Sequence, residues 1–178
     1  MKRRWFLAGA AALVLAAFAA GFFLSRPASA PPRPEITPEA IARLFATPYP
    51  DLSGNTRTLE EWRGQPLVVN FWATWCPPCL REMPVFSRAQ EQHPGIRFVG
   101  IAVDTDKNVR EFAAKTQVSY TILLGSKAAF PLMVDLGNFR RGLPFTVAFD
   151  ASGKLRHVFL GALDEAETTR LIATLEPR

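Results

Sequence analysis

From about residue 65 onward the apolar positions fall into short runs whose period changes along the chain. Leu67-Val68-Val69-Asn70-Phe71-Trp72 and Ile96-Arg97-Phe98-Val99-Gly100-Ile101-Ala102-Val103 are compact and β-branched, which suits central strands buried on both faces. Between them, Pro77 to His93 has helical character and is closed by Pro94-Gly95. Strand, helix and strand so spaced predict a βαβ unit with a right-handed crossover and a parallel pair. Asp106 to Lys115 predicts a second helix capped by Asp106, with Val109, Phe112 and Ala113 turned inward. Tyr120 to Leu123 predicts a short strand, and Ser126 to Leu136 a third helical segment. The last third alternates instead: Phe145 to Asp150 and Lys154 to Leu160, joined by Ala151-Ser152-Gly153, predict an antiparallel hairpin. Asp164 to Leu175 predicts a final helix capped by Asp164 that buries Leu171, Ile172 and Leu175. The expected class is α/β, a mixed central sheet flanked by helices.

The N-terminus follows another rule. Trp5 to Leu24 contains no charged residue, follows Lys2-Arg3-Arg4 and precedes Arg26. As a helix this stretch would span ~30 Å, the thickness of a bilayer core, and the flanking charges keep the start cytoplasmic while the rest crosses. Ala28-Ser29-Ala30 offers the alternative of cleavage near Ala30, which Pro31 and Pro32 make sterically poor. The expected organisation is a cytoplasmic stub at 1–4, one transmembrane signal-anchor at 5–24, a proline-rich linker at 25–38 and a folded domain at 39–178.

The formal net charge of +5 suggests nucleic acid until it is divided along the chain. Residues 1–34 hold five basic side chains and no acidic one, leaving 16 of each sign from residue 35 onward. With Arg140-Arg141 the only adjacent basic pair in the domain, no footprint for DNA or RNA is visible.

The chain has 2 cysteines, and both lie in Trp75-Cys76-Pro77-Pro78-Cys79, directly after the first predicted strand. Structural zinc needs four ligands, and only the isolated His93 and His157 remain to supply them, so no metal site is expected. As a static staple the pair would close too short a ring to constrain the unfolded chain much. A dithiol–disulfide redox pair is the favoured reading, with no cofactor beyond the Cys76–Cys79 disulfide itself.

Val68-Val69-Asn70-Phe71-Trp72-Ala73-Thr74-Trp75-Cys76-Pro77-Pro78-Cys79, followed by Glu82, Pro84 and later Gly142-Leu143-Pro144-Phe145-Thr146, resembles the TlpA/ResA group of membrane-tethered, thioredoxin-like thiol–disulfide oxidoreductases. The likeness runs from about residue 43 to 175. It implies a thioredoxin-like fold with an N-terminal β extension around Asp51-Leu52-Ser53-Gly54 and a βα insertion around Asp104 to Leu123. It also implies a single-pass protein of the bacterial inner membrane with its domain in the periplasm, acting on exported protein thiols or disulfides. Apo-cytochrome c or metal-site assembly proteins are the clients it suggests, and a membrane electron donor of the thiol–disulfide interchange type the partner. No oligomer is implied.

A helix N-terminus directed at Cys76 would lower its thiol pKa, and Pro77 and Pro78 fit the first turn because their missing N–H groups have no intrahelical use. Cys76 is therefore the expected nucleophile and Cys79, one turn in, the shielded resolving thiol. Thioredoxins place a buried aspartate where Asn70 stands, which directs attention to Glu82, three residues past Cys79, as proton acceptor; the alternative is a solvated surface glutamate. Pro84 should kink the helix. The resemblance makes Leu143–Pro144 a cis bond facing the cysteines, with the Leu143 backbone and Trp75 meeting the substrate. Trp72 is expected to pack near the site. Two competing functions are a peroxiredoxin-like thiol peroxidase, against which Ala73 stands in place of the usual threonine, and a copper chaperone, against which the cysteine spacing speaks.

Overall fold

A computed structural model of the protein describes residues 36–176. The expected stub, membrane anchor and most of the linker lie outside those residues. Among the described residues no helix is long and apolar enough to cross a membrane.

The chain enters through a helix the apolar pattern did not announce, α1 (Pro38–Ala46). Thr37 caps it by accepting from the Ala40 N–H at 3.2 Å, and Pro38 occupies its first turn, so the last two residues assigned to the linker already belong to the domain. A two-residue hairpin, β1 (Tyr49–Pro50) with β2 (Thr56–Arg57), and a 3₁₀ turn at Leu59–Trp62 follow.

The remaining elements are β3 (Leu67–Trp72), α2 (Pro77–Gln92), β4 (Arg97–Ala102), α3 (Asp106–Ala113), β5 (Thr121–Leu124), α4 (Ala129–Asp135), β6 (Phe145–Phe149), β7 (Leu155–Leu160) and α5 (Glu165–Leu175). Five strands form one sheet in the order β5-β4-β3-β6-β7. β3, β4 and β5 run parallel, β6 pairs antiparallel with β3, and β7 antiparallel with β6. The inserted α3–β5 unit supplies one sheet edge, and the N-terminal hairpin reaches it through an antiparallel bridge between Asp51 and Leu123.

Because β3 is buried along its whole length, its alternate residues serve two cores. Val69 and Phe71 pack with Leu44 and Phe45 of α1 and Met133 of α4. Val68 and Trp72 face the other side, with Met83 and Phe86 of α2 and Leu171 and Ile172 of α5. The result is a three-layer arrangement with β3 at its centre.

Three local expectations change. Thr105, not Asp106, caps α3: its backbone is extended and its hydroxyl accepts from the Asn108 N–H at 3.3 Å, leaving Asp106 in the first turn. Of the three residues expected inward on α3, Val109 is buried, whereas Phe112 and Ala113 are half-buried. The third helical segment shrinks to α4, because Ser126 turns the chain at a φ of 50° before the helix starts. Pro84, where a kink was expected, stands inside α2, and the helix continues past it to Gln92.

Candidate functional site

β3 ends at Trp72, whose carbonyl accepts from the Val103 N–H at 2.7 Å and so keeps the parallel pair closed to its last residue. The chain then turns through Ala73, Thr74 and Trp75, and Cys76 becomes the N-cap of α2. This turn is pinned from the side. Asp104, just beyond β4, accepts from the Thr74 N–H at 3.1 Å and from the Thr74 hydroxyl, and also from the Thr105 N–H and the Asn108 side chain. Burial works to raise the Asp104 pKa, but these donors outweigh it and hold the carboxyl below its ordinary value.

Cys76 and Cys79 are joined as a disulfide at the opening of α2, with Pro77 and Pro78 filling the turn between them. The Cys76 Sγ also accepts from the Cys79 N–H at 3.3 Å, one of the donors left free at a helix N-terminus. Cys76 is 4% exposed and Cys79 0%, so Cys76 is the more accessible sulfur. Trp75 beside it is 62% exposed, an unusual state for a large aromatic.

The Leu143–Pro144 peptide bond is cis. Phe145 pairs with Phe71 across the antiparallel ladder, so Pro144 lies one step further on, beside the end of β3 from which the cysteine turn departs. Among the described residues the Leu143 backbone N–H and C=O have no hydrogen-bond partner. Leu143 packs against the apolar cluster that contains both cysteines.

Glu82 is not a surface residue. It is 1% exposed, directed from α2 toward the sheet. One carboxylate oxygen accepts from the Leu163 N–H at 2.8 Å and the other from the Asn70 Nδ2 at 3.0 Å. Asn70 in turn donates to the Thr146 hydroxyl oxygen at 3.0 Å, across the register that sets Asn70 opposite Thr146 on one side and Gly100 on the other. Burial raises the Glu82 pKa from 4.5 to about 7, with the nearby Glu167 charge adding to it, while the Leu163 and Asn70 hydrogen bonds only partly oppose the rise. Tyr120, whose hydroxyl has no partner among the described residues, is likewise pushed up, by burial first and then by the Glu82 charge. Trp72 is fully buried over Gly100, where a side chain would meet its indole nitrogen at 3.0 Å.

Cys76, Cys79, Trp75 and the Leu143–Pro144 turn thus gather at one end of the sheet, and Asn70, Glu82 and Trp72 lie in the layer beneath. Sequence reasoning missed Thr146, Tyr120 and Asp104 as parts of this arrangement. Thr146 carried a signal, being the one hydroxyl in the apolar run Phe145–Phe149. Tyr120 and the Leu163 amide carried none, because they reach Glu82 only through the tertiary fold. His93 and His157 lie apart, paired with Glu176 and Thr174.

Residues 32–173 match the Redoxin family. Among curated relatives, the thiol:disulfide interchange protein DsbE of Pseudomonas aeruginosa is 33% identical over 145 residues, covering 79% of this chain and 78% of that one. The thiol-disulfide oxidoreductase ResA of Geobacillus thermodenitrificans is 28% identical over 130 residues, covering 71% and 72%. Among solved structures, a thioredoxin-family thiol:disulfide interchange protein from Chlorobium tepidum superposes with a TM-score of 0.63 at 27% identity, covering 83% of this chain and 99% of its own.

Proposed function

The chain belongs to the Redoxin family as a thiol–disulfide oxidoreductase of the TlpA/ResA-like kind, and on that premise we propose that it works as a membrane-tethered reductase of exported protein disulfides. In the reduced enzyme the Cys76 thiolate attacks one sulfur of a client disulfide. A Cys76–client mixed disulfide forms and the client's other sulfur leaves as a thiolate. Cys79 then gives up its proton and attacks the Cys76 sulfur, which releases the second client thiol and leaves the Cys76–Cys79 disulfide. Two electrons pass from the pair to the client. A membrane dithiol donor of the thiol–disulfide interchange type returns them.

The observation that carries this reading is the buried Glu82, one helical turn past Cys79 with a pKa of about 7. A shielded thiol cannot ionise into an apolar core without an acceptor, and a carboxylate poised near neutrality accepts and returns a proton with little driving force lost. The unpaired Leu143 backbone gives a client segment one N–H and one C=O to pair with, as an added strand would, and Trp75 supplies an apolar contact beside the reacting sulfur.

Reduction rather than oxidation follows from the tether expected at residues 5–24: a reductant in an oxidising compartment must be recharged at the membrane, whereas an oxidant gains from free diffusion. Apo-cytochrome c and metal-site assembly proteins are suitable clients. The mechanism is tested by trapping. Cys79→Ser should accumulate mixed disulfides through Cys76, and Cys76→Ser should capture nothing; the reverse pattern would exchange the two roles. The direction is tested by alkylating thiols in intact cells, where the pair should be largely reduced and become oxidised when the membrane donor is removed. A pair oxidised at steady state, with disulfides missing from other exported proteins in the deletion strain, would make the enzyme an oxidase.

A further inference from the structure

The turn that leads into Pro144 presents Phe139, Arg140 and Arg141 to solvent, none of which the dithiol chemistry uses. The turn is tightly built. Asn138, 1% exposed, donates from Nδ2 to the Gly142 carbonyl at 2.8 Å and accepts from the Gly142 N–H at 3.1 Å, and the Arg141 N–H donates to the Asn138 carbonyl at 3.0 Å. Arg141 is held at a φ of 51°, a conformation that glycine adopts at lower cost. The backbone therefore gives no reason for an arginine there, and the side chain has to supply one.

Among the described residues the arginines at 43, 57, 63, 88 and 156 are paired with carboxylates, whereas Arg140 and Arg141, like Arg81, Arg97, Arg110 and Arg170, have no acidic partner; only Arg140 and Arg141 are adjacent. The two adjacent positive charges stand out on a domain that is otherwise neutral and interspersed. Along the chain they stand three and two residues before Leu143, which packs against the apolar cluster that contains the dithiol. Leu160, 49% exposed, pairs with Phe145 at the start of β6 and lies over Gly142, whose missing side chain would meet its Cδ1 at 3.0 Å. Phe139 at 48% and Trp75 at 62% exposure are further large apolar side chains exposed among the described residues.

We propose that the Phe139-Arg140-Arg141 turn selects among protein disulfides, favouring clients with acidic residues within about four positions of the cysteine that Cys76 attacks. An extended client advances ~3.3 Å per residue, and Arg141 lies only two residues before the Leu143 backbone that would pair with it, so the reach of an arginine covers that interval. The proposal rests on the oxidoreductase reading and adds the chemistry of the partner to it.

The test uses the full chain, reduced, and three synthetic peptides that share one internal disulfide: one flanked by glutamates, its comparison flanked by glutamines, and a third flanked by lysines. At low ionic strength the wild type should reduce the glutamate peptide about tenfold faster, and the ratio should fall to about two or less in about 0.5 M NaCl, as steering by exposed charges requires. R140Q/R141Q should bring the ratio to about one. R140E/R141E should instead favour a lysine-flanked peptide, a gain that misfolding cannot produce. Equal wild-type rates on the glutamate and glutamine peptides would overturn the recognition while leaving the oxidoreductase reading intact, whereas failure to reduce either peptide would sink both.

Discussion

Replacing Glu82 by glutamine isolates what the buried carboxyl does to the fold. A carboxyl whose pKa is about 7 in the folded chain and 4.5 as the reference value binds its proton more tightly when folded. Below the lower value both states are protonated and the site is neutral in its effect. As pH rises from there the unfolded chain ionises first, and stability falls until the folded carboxyl has ionised too. The full difference is worth about 3 kcal/mol, reached above about pH 7. Glutamine abolishes this loss without leaving donors facing donors. Its oxygen takes the Leu163 N–H, its amide faces Asn70, and Asn70 turns over so that its own oxygen accepts from both that amide and the Thr146 hydroxyl. The assay is denaturant unfolding of the oxidised protein at steps between about pH 4.5 and about pH 8 for wild type and Glu82→Gln. The two stabilities should agree at the acid end and diverge by about 2–3 kcal/mol in favour of the variant at the alkaline end, or about 10 °C in melting temperature. Subtracting the curves removes every other titrating group. Parallel curves across the range would refute the placement of a raised carboxyl at 82, and unchanged turnover in the variant would refute its part in resolution.

Asp104→Asn tests the opposite sign: because the Asp104 pKa is lowered on folding, its contribution is present above the unfolded carboxylate range and lost as pH falls from there through the lower folded value, so the variant should cost about 1–2 kcal/mol at neutral pH and less in acid. Paired chemical denaturation at the two pH values reads this, and an equal cost at both would deny the lowered pKa. Trp75→Ala should leave stability within about 0.5 kcal/mol, since the side chain is 62% exposed, and should slow reduction of a protein disulfide several-fold more than that of hydroxyethyl disulfide. Equal losses on the two substrates would make Trp75 part of the sulfur chemistry, not of docking.

The strands and the cysteine helix were legible because local signals agree there. β3 occupies the residues its apolar run marked, and α5 starts after the Asp164 cap, which forms a reciprocal pair with Glu167. Where two capping residues adjoin, as at Thr105 and Asp106, composition does not choose between them, and the extended backbone of Thr105 decides. α1 was hidden for another reason. Its apolar residues Ala40, Ile41, Leu44 and Phe45 follow a proline-rich stretch, and only packing against the sheet makes so short a helix stable. The fate of Glu82 could not be read from spacing at all. Position three past Cys79 lies on the same helical face in any helix, but whether that face meets solvent or the sheet depends on Leu163 and Thr146, residues 81 and 64 positions further along the chain.

That dependence makes Glu82 more informative than the cysteine motif that drew attention first. A C-x-x-C pair fits several chemistries, and the helix N-terminus behind it would activate a thiol in any of them. A carboxyl sealed at 1% exposure is different, because burial there works against the fold at neutral pH, and an apolar residue of similar size would avoid the loss. The surroundings do not cancel it. Two hydrogen bonds oppose the raised pKa without restoring it, and the Tyr120 hydroxyl that feels the charge is itself without a partner among the described residues. Local features that weaken a fold persist where chemistry needs them. On the proposed mechanism, the chemistry that needs a nearly neutral acid one turn from a buried sulfur is proton transfer during resolution, which ties the destabilised layer beneath the sheet end to the disulfide above it.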